Sequence, residues 1–94
     1  MNDHNERHLA LARITDVLFC SDLEIDDLPT RRQLSEAIRQ TLKTYRSWNG
    51  CTRAVARAFT ANSEAATERE RWCRQLAEEA LNAADVRPDA DSPR

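Results

Sequence analysis

A single glycine, Gly50, serves the whole chain, and only three prolines accompany it, so tight turns of the β type have almost no material to be built from. With alanine plentiful and aliphatic and aromatic anchors few, the composition is that of an all-helical protein. The helical signal is densest in the stretch Trp48–Cys73, which holds that glycine, both tryptophans and two of the three cysteines. There Cys51, Ala54, Val55, Ala58 and Phe59 recur at the three- and four-residue spacing that lines one side of a helix, with Arg53 and Arg57 on the other. Asn62 or Ser63 then offers a side-chain oxygen to the free amides of a new helix, and Glu64 suits the dipole of its first turn. From Ala65 and Ala66 through Trp72, Cys73, Leu76, Ala77, Ala80, Ala83 and Ala84 runs one broad apolar arc, with Arg69 the one charge inside it. An arginine so placed must extend its head to water or find a carboxylate, and Asp16, Asp22 and Glu36 are the candidates.

Upstream, residues 1–5 are polar and expected to fray, after which Ala10, Leu11, Ile14, Val17 and Leu18 mark a helix that ends near Cys20. The connector that follows, SDLEIDDLP, is acidic, yet Leu23, Ile25 and Leu28 are apolar enough to be tucked under the helices. Thr30 and Gln33 form a capping box, and Pro29 keeps a helix from running through, so the second helix begins near Arg31. Its apolar positions are Leu34, Ile38, Leu42, Tyr45 and Trp48, while Arg32, Arg39, Lys43 and Arg46 form a basic outer stripe. Asn49-Gly50 is expected to supply the left-handed residue that ends this helix, with Thr52 near the start of the third. The third helix is expected over residues 51–60 and the fourth over 64–84, and the polar end, Arg87-Pro88 and then DADSPR, as a disordered tail over 85–94. The expected architecture is thus all-α: one small four-helix domain over 6–84 with a long C-terminal helix. The second to fourth helices make its packed centre, the first closes over them through Leu11, Ile14 and Leu18, and Trp48 and Trp72 are largely buried.

At this length a chain buries only about 60 to 65% of the surface it exposes when unfolded, so a single modest core is expected. The net charge of −2 conceals a segregation: residues 1–30 carry 2 basic and 7 acidic groups, residues 31–57 carry 7 and 1, and residues 58–94 carry 5 and 8. A basic middle between acidic ends suits parts that complement one another, within a chain or between chains, as readily as an external polyanion. Three cysteines, Cys20, Cys51 and Cys73, share no C-x-x-C spacing and two of them fall on core faces, which points to reduced thiols in a cytoplasmic protein. No apolar run marks a signal peptide, and none approaches the ~20 residues of a membrane span.

No motif fixes a reaction. His4 and His8 stand one turn apart, but two imidazoles at a loose terminus make a poor metal site. The alternation Asp22-x-Glu24-x-Asp26 suggests calcium until Asp27 stands where a calcium loop needs glycine and Gln33 where it needs a bidentate glutamate. The chain has no histidine beyond the first eight residues and no glycine-rich phosphate loop. The expectation is therefore no catalytic residues, no metal, no cofactor and no small-molecule substrate. Two binding readings remain. In one, a protein-interaction module, self-association included, uses the stripe Arg32, Arg39, Lys43, Arg46, Arg53 and Arg57 against an acidic face, with exposed apolar surface completing a partner's core. In the other, residues 52–71 act as a helix-turn-helix on nucleic acid, with Val55, Ala56, Phe59, Ala61 and Ala66 as its packing residues. Against the second, Thr60 takes the turn position usual for glycine, Arg69 takes an apolar slot, and Glu64 and Glu68 would face phosphates.

Ser21-Asp22-Leu23 leading into Leu28-Pro29-Thr30, then Gly50-Cys51 with Ala54 and Ala58, then Glu68-x-x-Arg71-Trp72, resembles a group of short helical proteins of actinomycete bacteria. The likeness spans residues 11–76 and rests mostly on structural positions. It implies a compact bacterial helical domain and brings no activity, cofactor or binding residue with it.

Overall fold

The computed structural model describes the backbone of residues 2–91 and the side chains of residues 6–82. Four helices follow one another: α1 (Asn2–Phe19), α2 (Arg31–Tyr45), α3 (Trp48–Ala61) and α4 (Ser63–Asp91), with no strand among the described residues. The frayed segment expected over 1–5 and the tail expected over 85–94 lie outside the residues whose side chains are described. Among the described residues no helix is long and apolar enough to cross a membrane.

Local chemistry accounts for the helix ends. The Thr30 hydroxyl accepts from the Gln33 amide at 3.1 Å while the Gln33 side chain accepts from the Thr30 amide at 2.8 Å, so the capping box of α2 is complete. Asn62 alone separates α3 from α4. Its amide donates to the Ala58 carbonyl, closing α3, and its side-chain oxygen accepts from the Ala65 amide at 3.1 Å, opening α4.

The junction of α2 and α3 falls earlier than Asn49-Gly50. The left-handed residue is Arg46, at φ 72°, whose amide donates to the Leu42 carbonyl at 2.7 Å, and Ser47 caps α3 by accepting from the Gly50 amide. Gly50 is therefore a first-turn residue of α3 rather than a stop signal. It is needed for another reason: a Cβ there would lie 2.5 Å from the Tyr45 carbonyl oxygen. The glycine lets the first turn of α3 pass directly against the last turn of α2.

The first helix occupies the centre instead of closing over it. It packs on α4, α3 and α2 alike, most extensively on α4. Consecutive residues on a helix point about 100° apart, so burial of Val17, Leu18 and Phe19 together means that this end of α1 is enclosed on more than half its circumference. A polar residue in the same buried band, Thr15, is satisfied by donating to the Leu11 carbonyl at 2.6 Å. Around Leu18 gather Phe19, Leu34, Val55, Ala66, Cys73 and Ala77, with Ile14, Leu23, Ile38, Phe59, Trp72 and Leu76 at the margin. Small residues at Ala66, Cys73 and Ala77 bring the backbone of α4 close to the core. Full burial of Leu18 alone contributes about 2 to 3 kcal/mol. Both tryptophans are half-buried, not sealed in: Trp72 packs on the margin of the core, and Trp48 lies 5.8 Å from the Arg13 guanidinium. An indole is too large for the space these small residues leave, so the Trp72 ring covers the core from outside.

Candidate protein-interaction surface

The surface is built from Arg69 outward. No carboxylate of Asp16, Asp22 or Glu36 receives this side chain. Its Nε donates to the Phe19 carbonyl at 2.8 Å, and one terminal nitrogen reaches the carbonyls of Leu23 at 2.7 Å, Ser21 at 3.0 Å and Leu18 at 3.4 Å. These are carbonyls at the end of α1 and in the chain just beyond it, where the last helical turn lacks donors and carries the negative end of the helix dipole. A planar guanidinium with five N–H groups suits such a cluster better than any single carboxylate would suit the arginine. The same head lies 5.6 Å from the Phe19 ring and 5.9 Å from the Trp72 ring, and Phe19 stacks in turn on Phe59.

One end of the 21–30 connector is thus fastened by Arg69 and the other by the capping box of α2. Between these anchors the chain turns: the Asp27 amide donates to the Glu24 carbonyl at 2.9 Å, the Asp27 carboxylate accepts from the Glu24 amide at 2.8 Å, and Asp26 takes φ 83°. The turn carries its apolar side chains outward. Leu23 is half-buried, but Ile25 is 37% exposed and Leu28 94% exposed, against the expectation that all three tuck under the helices. Pro29 occupies the position before the N-cap from which a residue can staple onto the first turns of α2, and Leu28, one residue earlier, has no helix to cover it.

Beside this turn runs an open groove of about 710 Å³, bounded by Cys20, Asp22 and Leu23 on one side and by α2 on the other, through Arg32, Ala37, Gln40, Thr44 and Tyr45 among others. A smaller recess framed by Leu28 and Pro29 shares Leu23 and Gln33 with it, so the exposed leucine stands at the mouth of the groove. Of the basic stripe, Arg32 lines the groove. Arg32, Arg39 and Lys43 on α2, Arg46 at its C-cap, and Arg53 and Arg57 on α3 are all exposed. Glu36 neutralises one of them, accepting from Arg39 at 2.6 and 2.7 Å and from Gln40 at 3.3 Å, and these donors hold its carboxyl below the usual range. Among the described residues no ion pair ties Arg31 or Arg32 to the acidic connector, although the two adjoin in sequence.

Other groups with chemical potential are engaged or shielded. Burial pushes the Cys20 thiol up to about 12 and the Cys73 thiol up to about 11, and also raises that of Cys51, so all three stay protonated and poorly nucleophilic. The corner at Asn62 has one residue where a helix-turn-helix has three or four, and Glu64 and Glu68 are exposed at the front of α4. Sequence patterning found the stripe and singled out Arg69, but missed Leu28 as a projection and Ala37, Gln40 and Thr44 as groove lining. The sequence signalled only one of the connector's two tethers, the Thr30/Gln33 capping box; the other, from Arg69 to backbone carbonyls, carries no sequence mark. No family model matches the chain, and no curated protein and no solved structure matches it.

Proposed function

We propose that this chain is a non-enzymatic protein-interaction module of the cytoplasm, which docks a partner protein on the face formed by the 21–30 connector and α2. One observation carries the reading: Leu28 is held almost fully in water on a segment that is fastened at both ends. A leucine left out on a loose loop signifies little, but one held out beside an open groove is surface set apart for covering. Burying it would contribute about 1.5 to 3 kcal/mol to binding, and the exposed cations of α2 would steer an acidic partner toward this face. A photo-crosslinking residue at Gln40, exposed in the groove wall, tests this in the purified chain and in host extract. The reading requires an adduct that Leu28→Lys abolishes in one setting or the other, and absence of any such adduct in both overturns it.

The same exposed cations favour a second reading, binding to nucleic acid, with phosphates in place of carboxylates. The short corner and the acidic front of α4 weigh against residues 52–71 as a reading head. Mixed-sequence DNA that shows no retardation even at low salt removes it.

A further inference from the structure

We infer that the partner is a second copy of this chain, with the two copies meeting about a twofold axis so that Leu28 of each enters the groove of the other. This rests on the interaction reading above and names its occupant. A twofold contact must be self-complementary, with projection and recess on one continuous patch. That is the arrangement here: Leu23 and Gln33 line both the groove and the recess beside Leu28. A chain cannot fill its own groove with this leucine. Its connector already forms one wall through Asp22 and Leu23, and Arg69 and the capping box hold the two ends in place. At about 710 Å³ the groove has room for a leucine and for Ile25 beside it.

Charge selects the same occupant. The connector presents Asp22, Glu24, Asp26 and Asp27, all exposed, around its apolar residues. Arg32 lines the groove on α2, and Arg31 and Lys43 are exposed elsewhere on the same helix, with Arg39 already held by Glu36. An acidic connector and a basic outer face of α2 within one chain, unpaired to each other among the described residues, become paired twice over when two copies meet. The segregation of charge along the sequence, acidic over 1–30 and basic over 31–57, gives each copy both halves of the match. The pairing should weaken as salt is raised, since its charges lie at an exposed rim.

Sedimentation of the full chain over a micromolar-to-millimolar series tests the inference. The expected result is a concentration-dependent rise from the mass of one chain to that of two, with a dissociation constant that increases with salt. Leu28→Lys removes the projection and Thr44→Arg obstructs the recess. Both positions are exposed, so the helical circular dichroism should be unchanged while each variant weakens dimerisation at least about tenfold. An equimolar mixture of the two variants should associate more tightly than either alone, because one retains a usable groove and the other a usable leucine. A wild-type chain that stays at single-chain mass throughout, a dimer indifferent to both variants, or a mixture no tighter than its components overturns the inference. If the purified chain is monomeric while the Gln40 crosslinker forms a Leu28-dependent adduct with another protein in host extract, self-pairing falls and the interaction reading stands. If neither setting yields an adduct, both fall.

Discussion

Replacing Arg69 by methionine separates what its charge does from what its stem does. Methionine keeps an unbranched apolar chain between Phe19 and Trp72 but offers nothing to the carbonyls at the end of α1. Three short bonds are lost, to Phe19 at 2.8 Å, Ser21 at 3.0 Å and Leu23 at 2.7 Å, with the 3.4 Å approach to Leu18 counting for little. The side chain is only half-buried, so water replaces part of what is removed, and about 1 kcal/mol per bond is the appropriate scale, or about 3 kcal/mol together. A domain of this length has roughly 5 to 14 kcal/mol of stability in total, so the loss is large. It should lower Tm by roughly 12 to 24 °C and shift the urea midpoint with little change in slope. Arg69→Lys should recover part of the loss, because an ammonium can reach some of these oxygens but cannot span them as a planar fork does. The acceptors are neutral backbone carbonyls, not a carboxylate, so the deficit should persist in 0.5 M salt. A methionine variant within about 0.5 kcal/mol of wild type would refute this account. A deficit that disappears in high salt would show that Arg69 works through an ion pair after all.

Gly50→Ala should destabilise in spite of alanine's better helix propensity, since its Cβ would meet the Tyr45 carbonyl at 2.5 Å; a net loss of about 1 to 2 kcal/mol is expected in urea titrations, and a gain would mean that α2 and α3 separate freely. Asp16→Asn should raise Tm at pH 7, because burial raises the Asp16 carboxyl above its ordinary 3.8 and its place in the last turn of α1 adds to the strain, with the Thr52 hydroxyl only partly offsetting this. A raised acid pKa means that the folded state holds the proton more tightly, so wild-type stability falls as pH rises from about 3.8 through the folded value, and the advantage of asparagine should vanish below that window. Thiol titration of the native protein should find Cys20 slow and Cys51 and Cys73 silent at pH 8, with all three reacting at once in denaturant; rapid native labelling of Cys73 would contradict its burial.

Secondary structure was largely decided by local chemistry, and so it could be read from the chain. The Thr30/Gln33 box and the Asn62 corner act over three or four residues and use only groups that are neighbours in sequence, so their partners are implicit in the order of residues. The periodic apolar residues likewise announced four helices and the stripe from Arg32 to Arg57, because helical geometry maps spacing directly onto a face. The α2–α3 junction was misplaced where two local signals competed. Asn49-Gly50 has the composition of a stop, yet Ser47 offers a cap three residues before Gly50, and the close approach of Tyr45 gives the glycine a different use.

What tertiary structure alone decided depends on groups brought together across long stretches of sequence. Arg69 is separated from Phe19 by 50 positions and from Leu23 by 46, and backbone carbonyls, carried by every residue, leave no mark in the sequence that would single them out as its partners. The same contact fastens the connector, and that fastening, together with the N-cap of α2, turns Leu28 into water. Composition shows that leucine as one more apolar residue wanting cover. Only the packing of α1 at the centre, with α2 set to one side of it, shows that nothing among the described residues covers it.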